Sequence, residues 1–102
     1  MSTLMILGVK PPDEKWLKMK NAYDSCKAAG LEIPDKVSYF FEDEEPDPDG
    51  VQIPLATQYD GNINKSEDCV TNWKPGEMCY GMSLDLSKLP KDIKILRFKW
   101  IY

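Results

Sequence analysis

The chain contains no histidine, which removes the usual proton shuttle at neutral pH and the commonest transition-metal ligand. Ser-His and Cys-His nucleophile pairs are excluded with it. Cysteine is scarce: Cys26, Cys69 and Cys79 form no C-x-x-C pair, so neither a zinc site nor a dithiol redox centre is expected. An odd number of cysteines suits reduced thiols buried as small core residues, and with it a cytoplasmic location. No glycine-rich loop of the kind that cradles phosphate is present. Long apolar runs are absent too. The stretch from Leu4 to Val9 has no basic lead and stops at Lys10 and Pro11-Pro12, so it is read as neither a signal peptide nor a membrane span. Asn64-Lys65-Ser66 matches the glycosylation sequon, which has no consequence without secretion. Basic residues are outnumbered, 13 against 17 acidic, for a formal charge of -4; direct nucleic-acid binding is therefore disfavoured.

What is present fits one compact domain of 102 residues. Leu4 to Val9, apolar at every position, reads as a short strand buried on both faces. Pro11-Pro12-Asp13-Glu14 opens a helix expected over residues 12–29, with Trp16, Met19, Tyr23 and Cys26 on one face. Gly30 suits its left-handed cap, with Leu31 folding back toward Cys26. Pro34-Asp35 opens a second, shorter helix whose Val37, Phe40 and Phe41 pack on the first. Residues 42–50 hold six carboxylates and two prolines and are expected to form a loop.

Val51, Ile53 and Leu55 read as a short strand that Pro54 confines to an edge or a bulge. Residues 57–76 carry no clear periodicity and read first as a long loop, although twenty structureless residues argue against that in a small domain; Cys69 to Trp73 is the candidate strand or apolar anchor within it. Met78, Tyr80, Met82, Leu84 and Leu86 alternate with small and polar residues, and Leu96, Phe98, Trp100 and Tyr102 do so after the turn around Pro90. These two runs are expected to pair antiparallel, each with one buried face. The fold class predicted is α+β, a small, mostly antiparallel sheet packed by two N-terminal helices in a single domain.

Three constellations bear on function. Glu45, Asp47, Asp49 and Gly50 match the opening of a calcium loop, but the twelfth position is Ala56 and prolines stand between the carboxylates. A second alternation, Asp60, Asn62, Asn64, Ser66 and Asp68, has Lys65 where the turn glycine belongs. No metal and no cofactor are expected. The paired carboxylates sit where nothing would split their pKa values, so catalysis is not expected either.

The second constellation is the acidic loop as a recognition surface, formed by Glu42, Asp43, Glu44, Glu45, Asp47 and Asp49. Dense carboxylates can occupy an arginine- or lysine-rich cleft on another protein. Charge is laid out unevenly, -6 over residues 42–50 and +4 over residues 88–102. This asymmetry could steer a charged partner or join subunits acid to base into a homo-oligomer. The third is the C-terminal run with Lys94, Arg97, Lys99 and Trp100, the composition of a base-stacking strand and, in an oligomer, of a site sequestering a small signalling nucleotide. Its apolar residues, like Trp16 and Trp73, read first as core.

Two stretches, Gly8-Val9-Lys10-Pro11-Pro12-Asp13-Glu14-Lys15-Trp16 through Ala28-Ala29-Gly30-Leu31-Glu32-Ile33-Pro34, and Leu84-Asp85-Leu86-Ser87-Lys88-Leu89-Pro90-Lys91-Asp92-Ile93 up to Phe98, resemble small acidic proteins encoded by tailed bacteriophages and prophages. The likeness covers the first third and the last fifth of the chain and rests on a capped helix and a turn, with no catalytic residues to carry over. It implies an accessory protein that binds and blocks a bacterial host or defence protein, in the manner of anti-CRISPR proteins and nucleic-acid mimics.

Overall fold

The computed structural model of the chain describes residues 3–102. It is α+β, with two helices and six strands in the order β1 (Thr3–Lys10), α1 (Glu14–Ala29), α2 (Asp35–Phe40), β2 (Val51–Tyr59), β3 (Asn62–Lys65), β4 (Val70–Gly76), β5 (Cys79–Leu84) and β6 (Ile95–Ile101). A single 3-10 turn, Leu86–Lys88, lies between β5 and β6. The residues group into two compact units, Met1–Lys10 with Gln52–Tyr102, and Pro11–Val51.

The smaller unit is a helical hairpin followed by the acidic loop. Its helix starts where the side chain of Asp13 accepts the backbone N–H of Trp16 at 2.8 Å, satisfying a donor that the first turn leaves orphaned. Pro11 and Pro12 thus precede the cap. At the other end Gly30 adopts φ 70°, its N–H donates to Lys27 O, and the N–H of Leu31 reaches back to Cys26 O at 2.9 Å. That bond pair closes the helix in a Schellman motif, which favours a residue without Cβ at the left-handed position. Phe41, just past α2, sets its ring edge-on to Trp16 at 6.1 Å and to Tyr23 at 6.0 Å. Trp16 and Val37 are the buried residues of this hairpin.

The larger unit holds a four-stranded sheet of order β3-β2-β1-β6 and a two-stranded β4-β5 ribbon. Strand β1 is interior, with Ile6, Leu7 and Val9 all buried, as its unbroken apolar run requires. It pairs antiparallel with β6 from Thr3↔Ile101 to Val9↔Ile95, without a bulge. The core joins the two sheets: Ile6, Leu55, Ala56, Cys69, Val70 and Ile93 are buried together, with Met82, Leu84 and Leu96 against them. A Cβ on Gly8 would stand 2.4 Å from the Ile93 side chain, so the absence of a side chain there is what lets Ile93 close the core.

Three expectations are corrected. The last two apolar runs do not pair with each other: β5 pairs with β4 and β6 with β1. The reason lies in the connection, where Asp85 caps the 3-10 turn through the Ser87 N–H and Pro90 follows, diverting the chain rather than reversing it. Strand β2 is longer than expected and has neighbours on both sides. Its pairing with β3 covers only Ala56 to Tyr59, so Pro54 lies beyond that ladder and its missing N–H deprives β3 of nothing. Residues 57–76 are not a long loop. Tyr59 pairs with Asn62 across a two-residue turn in which Asp60 and Gly61 have φ 50° and 76°, the left-handed pair of a tight hairpin. Cys69 and Val70 are the buried anchor anticipated there.

Candidate functional site

The acidic segment has neither helix nor strand and is nonetheless held by specific bonds. Glu42 and Asp43 both have positive φ, 54° and 58°, so the chain reverses directly after α2. The Asp43 carboxylate accepts the Ser38 hydroxyl at 2.7 Å, and the Asp43 N–H donates to Ser38 O at 2.8 Å. Asp47 is 8 % exposed, and its side chain accepts the Asp49 N–H at 2.8 Å, an Asx turn that shapes the second half. Of the six expected recognition residues, Asp47 is therefore a builder of the loop, and Asp43 has a structural bond as well as an exposed position. Glu42, Glu44, Glu45 and Asp49 are exposed. Tyr39, one helical turn before the reversal, is 70 % exposed and lies in the same unit.

The C-terminal candidates are not brought together. Opposite β1, Trp100 stands across from Leu4 and Phe98 from Ile6, whereas Lys99 and Arg97 stand across from Met5 and Leu7. Strand alternation therefore sends Arg97 and Lys99 to one face and Trp100 to the other. Lys94 precedes the strand and donates its N–H to Val9 O. The expectation that the aromatic residues of this run are core is also corrected. Phe98, Trp100 and Tyr102 are 60 %, 57 % and 95 % exposed, and only Leu96 of that face packs on the buried cluster. The same holds for β5, where Met82 and Leu84 pack inward while Met78, Tyr80 and the following Leu86 are exposed. The outer end of the ribbon extends past the core, and its register shifts between Trp73 and Gly76, which breaks the alternation.

Trp73, expected in the interior, is exposed and lies over Gly81, where a Cβ would come within 2.8 Å of the ring. Beside it Lys74 Nζ stands 5.4 Å from the centroid of the Tyr80 ring. The larger unit also has a cleft of about 180 Å³, lined by Leu4, Gln58, Asp60, Gly61, Tyr80 and Trp100. Sequence reasoning named Trp100 as a ligand-binding candidate and Asp60 only as part of a discarded cation alternation, and missed their grouping. The Tyr59-Asp60-Gly61-Asn62 stretch, an Asp-Gly pair between strand residues, was the signal that could have found it.

Cys69 and Asp85 have displaced titrations. Burial pushes the Cys69 thiol above its ordinary range, with the nearby carboxylates of Glu67, Asp68 and Asp85 acting in the same direction. The hydroxyl and backbone N–H of Ser87 hold the Asp85 carboxyl below its usual range. All three cysteines are free; Cys69 is buried as expected, Cys26 half-buried, and Cys79 exposed. Among the described residues no three Cys, Asp or Glu side chains converge to hold a metal ion, and no helix is long and apolar enough to cross a membrane. No protein-family model, no curated protein and no solved structure matches the chain.

Proposed function

We propose that the protein is a binding protein rather than an enzyme, and that its acidic loop engages a basic surface of a bacterial host or defence protein inside the host cell. The observation that carries this reading is the presentation of the loop: Glu42, Glu44 and Glu45 are exposed on a reversal braced by the bonds of Asp43 and Asp47. A braced carboxylate array loses less conformational freedom on association than a floppy one. Exposed Tyr39 adds an aromatic anchor, the residue class that dominates binding hot spots. The resemblance to phage-encoded accessory proteins supports the bacterial setting.

Reversing Glu42, Glu44 and Glu45 to lysine is expected to abolish partner retention while leaving the thermal transition in place. Asp47 is left intact, since its reversal would remove the Asx turn. Retention undiminished by the triple reversal would overturn the assignment. The nucleotide-sequestering alternative has less support: Arg97 and Lys99 face away from Trp100, and among the described residues the cleft beside Trp100 is lined by a carboxylate and no cation.

A further inference from the structure

We infer that the cleft between β1, β6 and the outer end of the β4-β5 ribbon is a receptor for the guanidinium of an arginine side chain on a protein partner. This goes beyond the acidic-loop reading and rests on a different unit of the chain.

The space arises where the two sheets stop touching. On one face of β1 the residues Leu4, Ile6 and Gly8 lie opposite Trp100, Phe98 and Leu96. The Gly8 and Ile6 end is filled by Ile93 and Leu96. At the Leu4 end Trp100 and Tyr80 stand half-exposed at the mouth of the cleft.

The polar rim is fixed by a chain of hydrogen bonds from side-chain amides. Gln58, 6 % exposed, donates from Nε2 to both Asn72 Oδ1 and Gly81 O, each at 2.8 Å. Asn72 in turn donates from Nδ2 to Gly61 O at 3.1 Å. This network ties β2, β4 and β5 to the Asp60-Gly61 turn. Tyr80 seals the turn from the other side, its ring so close to Gly61 that a Cβ would lie 2.6 Å from it. Asp60 is held in the left-handed region and exposed, with no ion pair or hydrogen bond to its carboxylate among the described residues.

Among the described residues the cleft therefore presents one carboxylate, two aromatic rings and an aliphatic wall, with no basic residue in its lining. That set attracts a cation. Lys74 Nζ stands 5.4 Å from the Tyr80 ring centroid, so that ring already has a cation, and the Trp100 indole is the ring offered to an incoming one. A guanidinium suits the site better than an ammonium because its plane can stack on the Trp100 indole while its fork meets the Asp60 carboxylate. The volume, about 180 Å³, is below the roughly 300–1,000 Å³ of small-molecule sites and matches one inserted side chain.

The test is an NMR titration of the intact protein with acetyl-Gly-Arg-Gly-amide, followed through backbone amides and the tryptophan indole N–H signals. Saturable shifts at Gly61, Tyr80 and the Trp100 indole are expected, with a Kd on the order of 10 mM or tighter. Asp60→Asn keeps a residue tolerant of the left-handed turn and removes the charge; it should weaken binding by roughly tenfold. Trp100→Ala should abolish the saturable shifts, each variant retaining a dispersed spectrum. The triple reversal of the acidic loop should leave the titration unchanged, which separates failure of this site from failure of the loop. Absence of saturation, equal binding by Asp60→Asn, or shifts only at residues 42–49 would overturn the proposal. Equal or tighter binding of the lysine tripeptide, or of free arginine, would overturn its assignment to a guanidinium on a polypeptide.

Discussion

Gly61 meets two demands at once: its φ of 76° closes the β2-β3 turn, and its missing side chain leaves room for the Tyr80 ring. Gly61→Ala would strain the backbone and displace Tyr80, a loss on the order of 2 kcal/mol or more measurable by urea unfolding. Gly30 has a similar φ but nothing within 4 Å of its would-be Cβ, so Gly30→Ala should cost about 1 kcal/mol, the backbone part alone. A Gly61 variant no worse than the Gly30 variant would contradict this account. The cysteines grade by exposure: a thiol reagent should label Cys79 quickly, Cys26 more slowly, and Cys69 only on unfolding, because burial disfavours the Cys69 thiolate. Labelling of Cys69 in the folded protein as fast as Cys79 would contradict its place in the core. Asp85 has its native pKa depressed by Ser87. Its contribution to stability is therefore present above the ordinary carboxylate range and lost as pH falls through the native value. Asp85→Asn should remove that share of the acid-side slope of stability against pH; an unchanged slope would show that the Ser87 bonds do not favour the charged form.

The helices were legible because their ends are written in local chemistry. Gly30 followed by Leu31 is a stop with a mechanism, and the prolines and acids of residues 11–14 mark a start, although the helix begins at Glu14 rather than at Pro12 because Asp13 is its cap. Asp13→Ala should lower stability by about 1 kcal/mol, read from chemical denaturation. Strand partners were not legible, since pairing depends on where a connection sends the chain. The alternation correctly marks extended backbone over Cys79–Leu84 and Ile95–Ile101, although Met78 lies in a turn and Leu86 in the 3-10 turn, and both runs found partners elsewhere in the sequence. The alternation also overstates burial, because a strand that runs past its core keeps its apolar period and loses its cover; Met78 and Tyr102 show this. At the candidate site the carboxylates could be named from sequence. The division between exposed Glu42, Glu44 and Glu45 and buried Asp47 could not, because it is decided by the Asx turn at Asp49.

For the molecule as a whole, charge is the feature the sequence states most plainly: -6 over residues 42–50 and +4 over residues 88–102 within a net -4. Association driven by the acidic segment should weaken as ionic strength rises past the point where the Debye length falls below about 8 Å. The measurement that tests the central claim most directly is native mass spectrometry of the gently purified protein from bacterial lysate, run in parallel with the Glu42, Glu44 and Glu45 to lysine variant. The account predicts a stoichiometric bacterial protein retained by the native chain, lost from the variant, and released by salt. A partner retained equally by the variant, or a homo-oligomer carrying a small ligand and no second protein, would contradict it.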